Sequence, residues 1–390
     1  MERSLHNQAV IVGIGQTEFT KNSGRSELAL AAECVKNAID DAGLSPADID
    51  GMSAFTLDNT DEIELARTLG IPQLTFWGRI PYGGGAAVGI VHQAAMAVAT
   101  GAAKYVVGYR ALNGRSGQRY SMGVSGDIVT SDLVHWGYYM PSGLLTPASW
   151  VAMFTQRYLY ETGCTSEDLG RVAVATRKHA VNNPNAFYHG RELTLEDHQS
   201  SRMIADPLRL YDCCQETDGG CAFVVITPER ARDMQQPGAV IRGIAQGSTD
   251  DQEQMTSFYR DRIATLPEMD LVAKQVYAMS GLGPEDVEAA VIYDAFTSIV
   301  LFQLEAFGFC KPGEAKDFIK DGALEVGGRL PSNTHGGQLS EAYIHGINGV
   351  NEGVRLVRGT SVNQPEKNDC VLVTAGVGVP TSAMILGKLD

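Results

Sequence analysis

A seven-residue segment, Gly43-Leu44-Ser45-Pro46-Ala47-Asp48-Ile49, recurs as Gly281-Leu282-Gly283-Pro284-Glu285-Asp286-Val287, each time after a helical pattern and before a strand-like run. In both copies Gly ends the helix and Pro keeps it from resuming. A second parallel accompanies the first: a glycine-rich turn feeds an Ala/Gly-rich helix at Gly83–Gly101 and again at Gly336–Gly359. The 390 residues therefore read as two related halves, 1–236 and 237–390, joined at the linker Gln235-Gln236-Pro237-Gly238.

Within the first half, Ala9 to Ile14 is a continuous apolar run ending in Gly13 and Gly15, the pattern of a strand buried on both faces. Ser26-Glu27-Leu28 opens a helix that carries Leu28, Ala31, Val35, Ala38, Ile39 and Ala42 on one face and stops at Gly43. Strands are predicted at Met52–Phe55, Leu74–Trp77 and Tyr105–Gly108, and helices at Glu62–Leu69 and Ala86–Thr100. Such alternation predicts a layered α/β architecture. It breaks between about 113 and 215, where amphipathic helices at Pro147–Thr162 and Ser166–Asn182 suggest an inserted loop domain capping the layers. Strand-like runs return at Ala222–Ile226 and Val240–Ile244.

Thirty-one Lys+Arg against 46 Asp+Glu leave a net charge of −15, a field that repels nucleic-acid phosphates and anionic membrane surfaces. Seven cysteines without a CxxC spacing argue against a disulfide framework or a zinc site, and point to reduced thiols in the cytoplasm. The N-terminus shows no secretory signal pattern. The uncharged stretch Ile80–Ala103 is long enough to span a bilayer, but its His92, Gln93 and glycines read as a buried core helix instead.

Gly13-Ile14-Gly15-Gln16-Thr17-Glu18 begins like a dinucleotide fingerprint, yet Glu18 replaces the third glycine and would face a pyrophosphate. GxxxxGK[ST], HExxH and GxSxG do not occur, so no pattern supports a P-loop enzyme, a zincin or an α/β-hydrolase.

Three segments resemble the thiolase superfamily, in its sterol-carrier-protein-x branch: Val12–Phe19 at the first strand, Lys178–Asn185 with Asn182-Asn183-Pro184, and Pro207–Val225 with Asp212-Cys213-Cys214 and Asp218-Gly219-Gly220-Cys221-Ala222. The resemblance implies a fold of duplicated βαβαβαββ halves in five layers, with a loop domain inserted in the first. Where a thiolase carries its nucleophilic cysteine, at the start of the helix after the glycine-rich turn, this sequence has Ala86. The Asn-Glu-Ala-Phe element reads Tyr293-Asp294-Ala295-Phe296, and the element holding the catalytic histidine reads Ala342-Tyr343-Ile344-His345-Gly346. The C-terminal Cys-x-Gly reads Thr374-Ala375-Gly376, which removes the acid/base cysteine as well. Claisen chemistry has lost its inventory, and two phenols stand in its place.

This substitution pattern is similar to the thiolase-like aldolases of bacterial sterol side-chain degradation, as are Gly24–Leu28, Tyr82–Ala87 and Tyr211–Gly220. The resemblance implies retro-aldol cleavage of a 17-hydroxy-steroid carboxyl-CoA to a 17-ketosteroid and propionyl-CoA. No cofactor or metal is needed, and CoA enters only as part of the substrate. A free phenol has a pKa of about 10 and needs a stabilised phenolate to act as a base. Tyr343, just ahead of the second Ala/Gly-rich helix, is the expected proton acceptor and Tyr293 the expected donor, with the roles exchangeable. His345 is a third candidate, Asp294 an orienting group, and the amides around Gly376 and Gly378 expected oxyanion donors. His335 and His92 rank lower, His92 as a core residue. The family implies a homodimer working with a small OB-fold zinc-ribbon acyl-CoA-binding protein, fused to or associated with a hydratase. Two alternatives stay open: a non-catalytic acyl-CoA or lipid-binding scaffold, and a condensing enzyme using Cys213, Cys214 or Cys221.

Overall fold

Up to residue 226 the chain forms β1 (Val10–Gln16), α1 (Glu27–Asp41), β2 (Gly51–Phe55), α2 (Glu62–Leu69), β3 (Phe76–Ile80), α3 (Ala86–Ala99) and β4 (Val106–Asn113), then helices α4 (Pro147–Thr162), α5 (Ser166–Asn182) and α6 (Leu195–Ser200), a small hairpin of β5 (Met203–Ala205) and β6 (Leu208–Arg209), and β7 (Asp218–Ile226). The remainder supplies β8 (Ala239–Gly247), α7 (Pro267–Ser280), β9 (Ala289–Val291), α8 (Thr297–Ala306), α9 (Ile347–Arg358), β10 (Val371–Ala375) and β11 (Thr381–Lys388). The structure is a computed structural model that describes residues 5–81, 83–117, 119–122, 136–253, 255–376 and 381–389.

Nine strands form one mixed sheet in the order β3-β2-β4-β7-β1-β8-β11-β10-β9. Its two arms meet through two antiparallel residue pairs, Val10↔Val240 and Ile11↔Ala239. Outward from that join each arm repeats one plan, with antiparallel pairing next to the join (β1/β7/β4 and β8/β11/β10) and parallel pairing beyond it (β4/β2 and β10/β9). β3 completes the first arm in parallel with β2, whereas its counterpart beside β9 shrinks to one parallel bridge, Ala290↔Ser332.

Helices α3 and α9 lie between the arms and touch strands of both, while α1 and α2 cover the outside of one arm and α7 and α8 the outside of the other. The predicted thiolase-like α/β layering is the observed one. α1 starts where Ser26 caps it, its hydroxyl accepting from the Ala29 amide. It lies so close to the sheet that a Cβ on Gly15 would stand 2.2 Å from the Cys34 carbonyl oxygen, and one on Gly13 2.2 Å from that of Ala38.

Three expectations shift. The strand-like run at Ala222–Ile226 begins earlier, at Asp218, so Asp218-Gly219-Gly220 is the start of β7, its glycines serving close packing: a Cβ on Gly220 would meet the Cys34 sulfur at 3.0 Å. The strand expected at Leu74–Trp77 runs from Phe76 to Ile80, because Arg79 is paired with Glu62 at 2.8 Å. β4 continues beyond Gly108 through Arg110 to Asn113, because the buried guanidinium finds partners inside the protein. Among the described residues no helix is long and apolar enough to cross a membrane.

Candidate active site

The site lies where the carboxyl ends of β9 and β10 face the N-termini of α3 and α9, the usual place for ligands in such sheets. Tyr293 is two residues past β9. Its amide donates to Thr374 Oγ1 on β10 (3.0 Å), and its carbonyl accepts from Gln303 Nε2 on α8 (2.7 Å). Thr374 Oγ1 in turn donates to Gln303 Oε1 (2.5 Å), closing a ring of bonds around the tyrosine backbone. The ring extends toward the start of α3, where a Cβ on Gly84 would lie 2.2 Å from Tyr293 Oη, and it packs 3.0 Å from where a Cβ on Gly346 would sit.

Tyr343 comes from the segment ahead of α9, with its amide donating to Thr217 Oγ1 at 2.9 Å. Tyr293 Oη donates to Tyr343 Oη at 3.2 Å. Tyr293 is buried and Tyr343 half-buried. The two phenols thus share one site. His345 joins them, its ring edge-on to Tyr343 with centroids 4.9 Å apart. Burial, with Arg110 beside the ring, holds the imidazole well below the usual histidine range.

Asp294 turns away from the phenols. Its carboxylate accepts from the amides of Gln338 (2.6 Å) and Leu339 (3.4 Å), bracing the buried turn 337–341 from which Tyr343 emerges. Burial pushes its pKa up to about 7. Ala86 is fully buried in the first turn of α3, following Gly85, whose carbonyl accepts from Ser382 Oγ at 2.7 Å. Gly376 is buried just past β10 with φ of 124°; Gly378 and Tyr82 lie outside the described residues. His335 is buried, and His92 sits on α3 with its ring Nδ1 enclosed.

The cysteine alternative fares poorly. Cys213, Cys214 and Cys221 are unpaired, and burial pushes all three thiols up, away from the nucleophilic thiolate. Among the described residues no group of three or more His, Cys, Asp and Glu could hold a metal ion.

Sequence reasoning missed the second rank of residues: Arg110 and Asp58 behind His345, Thr374 and Gln303 around Tyr293, and Thr217 behind Tyr343. Arg110 left one trace, a charge in the middle of a buried strand, which demands a buried partner.

Fold and site together define the class, a thiolase-like α/β protein whose site gathers two phenols and an imidazole and has no cysteine at either thiolase position. The thiolase C-terminal domain-like family matches residues 250–388. The steroid side-chain-cleaving aldolase of Thermomonospora curvata is 61% identical over 385 residues, covering 98% of both chains. The 17-hydroxy-3-oxo-4-pregnene-20-carboxyl-CoA lyase of Mycobacterium tuberculosis is 58% identical over 98% of this chain and 100% of its own. The solved Ltp2-ChsH2(DUF35) aldolase superposes with a TM-score of 0.95 at 60% identity over 99% of each chain. The chain belongs to this family of thiolase-like steroid side-chain-cleaving aldolases.

Proposed function

We propose that this protein cleaves a 17-hydroxy-steroid carboxyl-CoA by a retro-aldol reaction, releasing a 17-ketosteroid and propionyl-CoA, without a cofactor. The phenol pair at 3.2 Å, in a site whose two thiolase cysteine positions hold Ala86 and Thr374, carries the reading; the relatives named above support the substrate class. Tyr343 takes the proton of the C17 hydroxyl as the C17–O bond becomes a carbonyl. The electrons of the breaking C17–C20 bond pass into the thioester, and the resulting enolate takes a proton at C20 from Tyr293. A proton then passes from Tyr343 back to Tyr293 across their 3.2 Å hydrogen bond, so that protons and electrons balance and no covalent enzyme intermediate is needed. The hydrogen bond from Tyr293 favours negative charge on Tyr343, which suits it to the role of base. Gly376 and Gly378 amides are oxyanion donors in this scheme, Ala86 leaves the room a nucleophile would fill, and Asp294 acts through the turn it braces.

The same reading takes 1–236 and 237–390 as the two halves, with 113–215 as the insertion. It places the protein in the cytoplasm, in keeping with its unpaired cysteines. It makes the protein a homodimer joined along the sheet edge at β3, where Trp77 is 61% exposed. Its further partner is a small OB-fold zinc-ribbon protein that helps to hold the CoA phosphates, for which a chain of net charge −15 is poorly equipped.

The test is incubation of the purified protein, with and without that partner, with a 17-hydroxy-steroid carboxyl-CoA. Equimolar ketone and propionyl-CoA are expected; failure to release them in both arms refutes the activity. Tyr343→Phe should lower turnover about 10²- to 10⁴-fold with its fold intact. Unchanged acyl-CoA binding by a wild-type protein that turns nothing over would instead indicate a scaffold.

A further inference from the structure

We propose that Arg110, held by Asp58, is a positioning residue that locks His345 as its Nε2–H tautomer, making the imidazole a fixed neutral hydrogen-bond donor to the thioester oxygen as that oxygen takes on enolate charge. The identity of that oxygen rests on the aldolase reading; the tautomer does not.

Arg110 Nε donates to His345 Nδ1 at 3.1 Å. A guanidinium has donors only and stays protonated in proteins, so the ring nitrogen it meets must present a lone pair. The proton of a neutral ring then sits on Nε2. Burial and the adjacent cation both oppose a second proton.

The lock is rigid. Asp58 lies 3.1 Å from Arg110 Nη1 and accepts from the amides of Ala111 (3.2 Å) and Thr60 (3.3 Å), with both charged side chains almost wholly buried. Arg110 and His345 also share the ring of Phe55, the guanidinium 5.6 Å from its centroid and the imidazole stacked at 6.0 Å. Among the described residues, the groups seen to face the imidazole include Arg110 with Asp58 behind it, Tyr343 edge-on, and Gly83 at the entrance to α3.

The backbone points to function as well. His345 has φ of +52°, a conformation that side-chain-bearing residues seldom adopt, and it leads into Gly346 at +91°. The result is that Nε2 faces Gly83, where a Cβ would stand 3.5 Å away, beside the Gly84 opening that receives Tyr293 Oη. A donor fixed there can stabilise charge on an oxygen without giving up its proton, which leaves proton transfer to the phenols.

The test combines tautomer and turnover in the full-length protein. With ¹⁵N-histidine labelling, the His345 signals, assigned by their loss in His345→Gln, should report an unprotonated Nδ1 and a protonated Nε2, unchanged from pH 5 to 9. An Nδ1–H ring, or one that titrates in that range, overturns the proposal whether or not the substrate is a steroid. In turnover, His345→Gln keeps an amide donor near the Nε2 position and should retain activity within about 10-fold, with an unaltered pH profile, whereas His345→Ala should lose 10²-fold or more in kcat with KM little changed. Equal losses in the two variants refute a donor role.

Arg110→Met strands the Asp58 carboxylate, so Asp58→Asn/Arg110→Met is made beside it. Either folded variant should show a mixed tautomer, a lower kcat and a new acid limb in the pH profile. Wild-type kcat and pH profile in that variant overturn the positioning role. If neither variant folds, the wild-type tautomer and the His345→Gln and His345→Ala pair decide the matter.

Discussion

Tyr293 reaches Tyr343 only because residue 84 has no side chain. Gly84→Ala places a methyl 2.2 Å from Tyr293 Oη, so the ring must swing away while the surrounding fold persists. Turnover should fall at least 10-fold with little change in the urea midpoint, checked by ketone release and equilibrium unfolding. Glu341 is the second residue with a measurable signature. It is buried two residues before Tyr343 and accepts from Asn348 (2.9 Å) and Asn183 (3.1 Å), yet burial pushes its pKa up to about 8. An unfolded chain loses this proton near pH ~4.3, so between there and about 8 the folded state holds more protons than the unfolded one. Its contribution to stability is complete below the lower value and is lost as pH rises through the upper one, at about 1.4 kcal/mol per pH unit. The urea midpoint should therefore decline between pH 5 and 8, and Glu341→Gln should flatten that decline.

At the scale of elements, α1 lies this close to the sheet because glycines face it. A methyl at Gly15 would meet backbone atoms of Cys34 and Ala38 at 2.2 and 2.4 Å, and neither can move without shifting the helix. Gly15→Ala should cost about 3 kcal/mol or more. Gly190→Ala, at φ of +68° but with nothing within 4 Å, should cost only about 1 kcal/mol from the backbone conformation. The contrast is read by urea unfolding of the two variants. Elements were legible where the signals were local: Ser26 before α1, the amphipathic runs of α4 and α5, and the glycines Gly43 and Gly281 that end helices. They were misjudged where a distant partner decided. Arg110 and Arg79 look like strand breakers until Asp58 and Glu62 are seen to receive them.

For the whole molecule, the strand order leaves β3 as an edge carrying an exposed Trp77, the surface on which a second copy would extend the sheet. Trp77→Glu should convert a dimer to monomers with unchanged circular dichroism, and sedimentation equilibrium measures it; a wild-type mass in the variant places the contact elsewhere. The sequence by itself determined the layered α/β class, the repeated plan of the two arms and the loss of the sulfur nucleophiles, because periodicity, helix stops and residue identity are properties of the chain read along its length. Which side chains meet was decided only by the tertiary structure. Arg110 and His345 are 235 positions apart and belong to opposite arms, and nothing in their spacing encodes a hydrogen bond. Closing the sheet through β1 and β8, with α3 and α9 packed between the arms, brings the two residues together, since burying those helices on both faces leaves their N-termini no other place to converge.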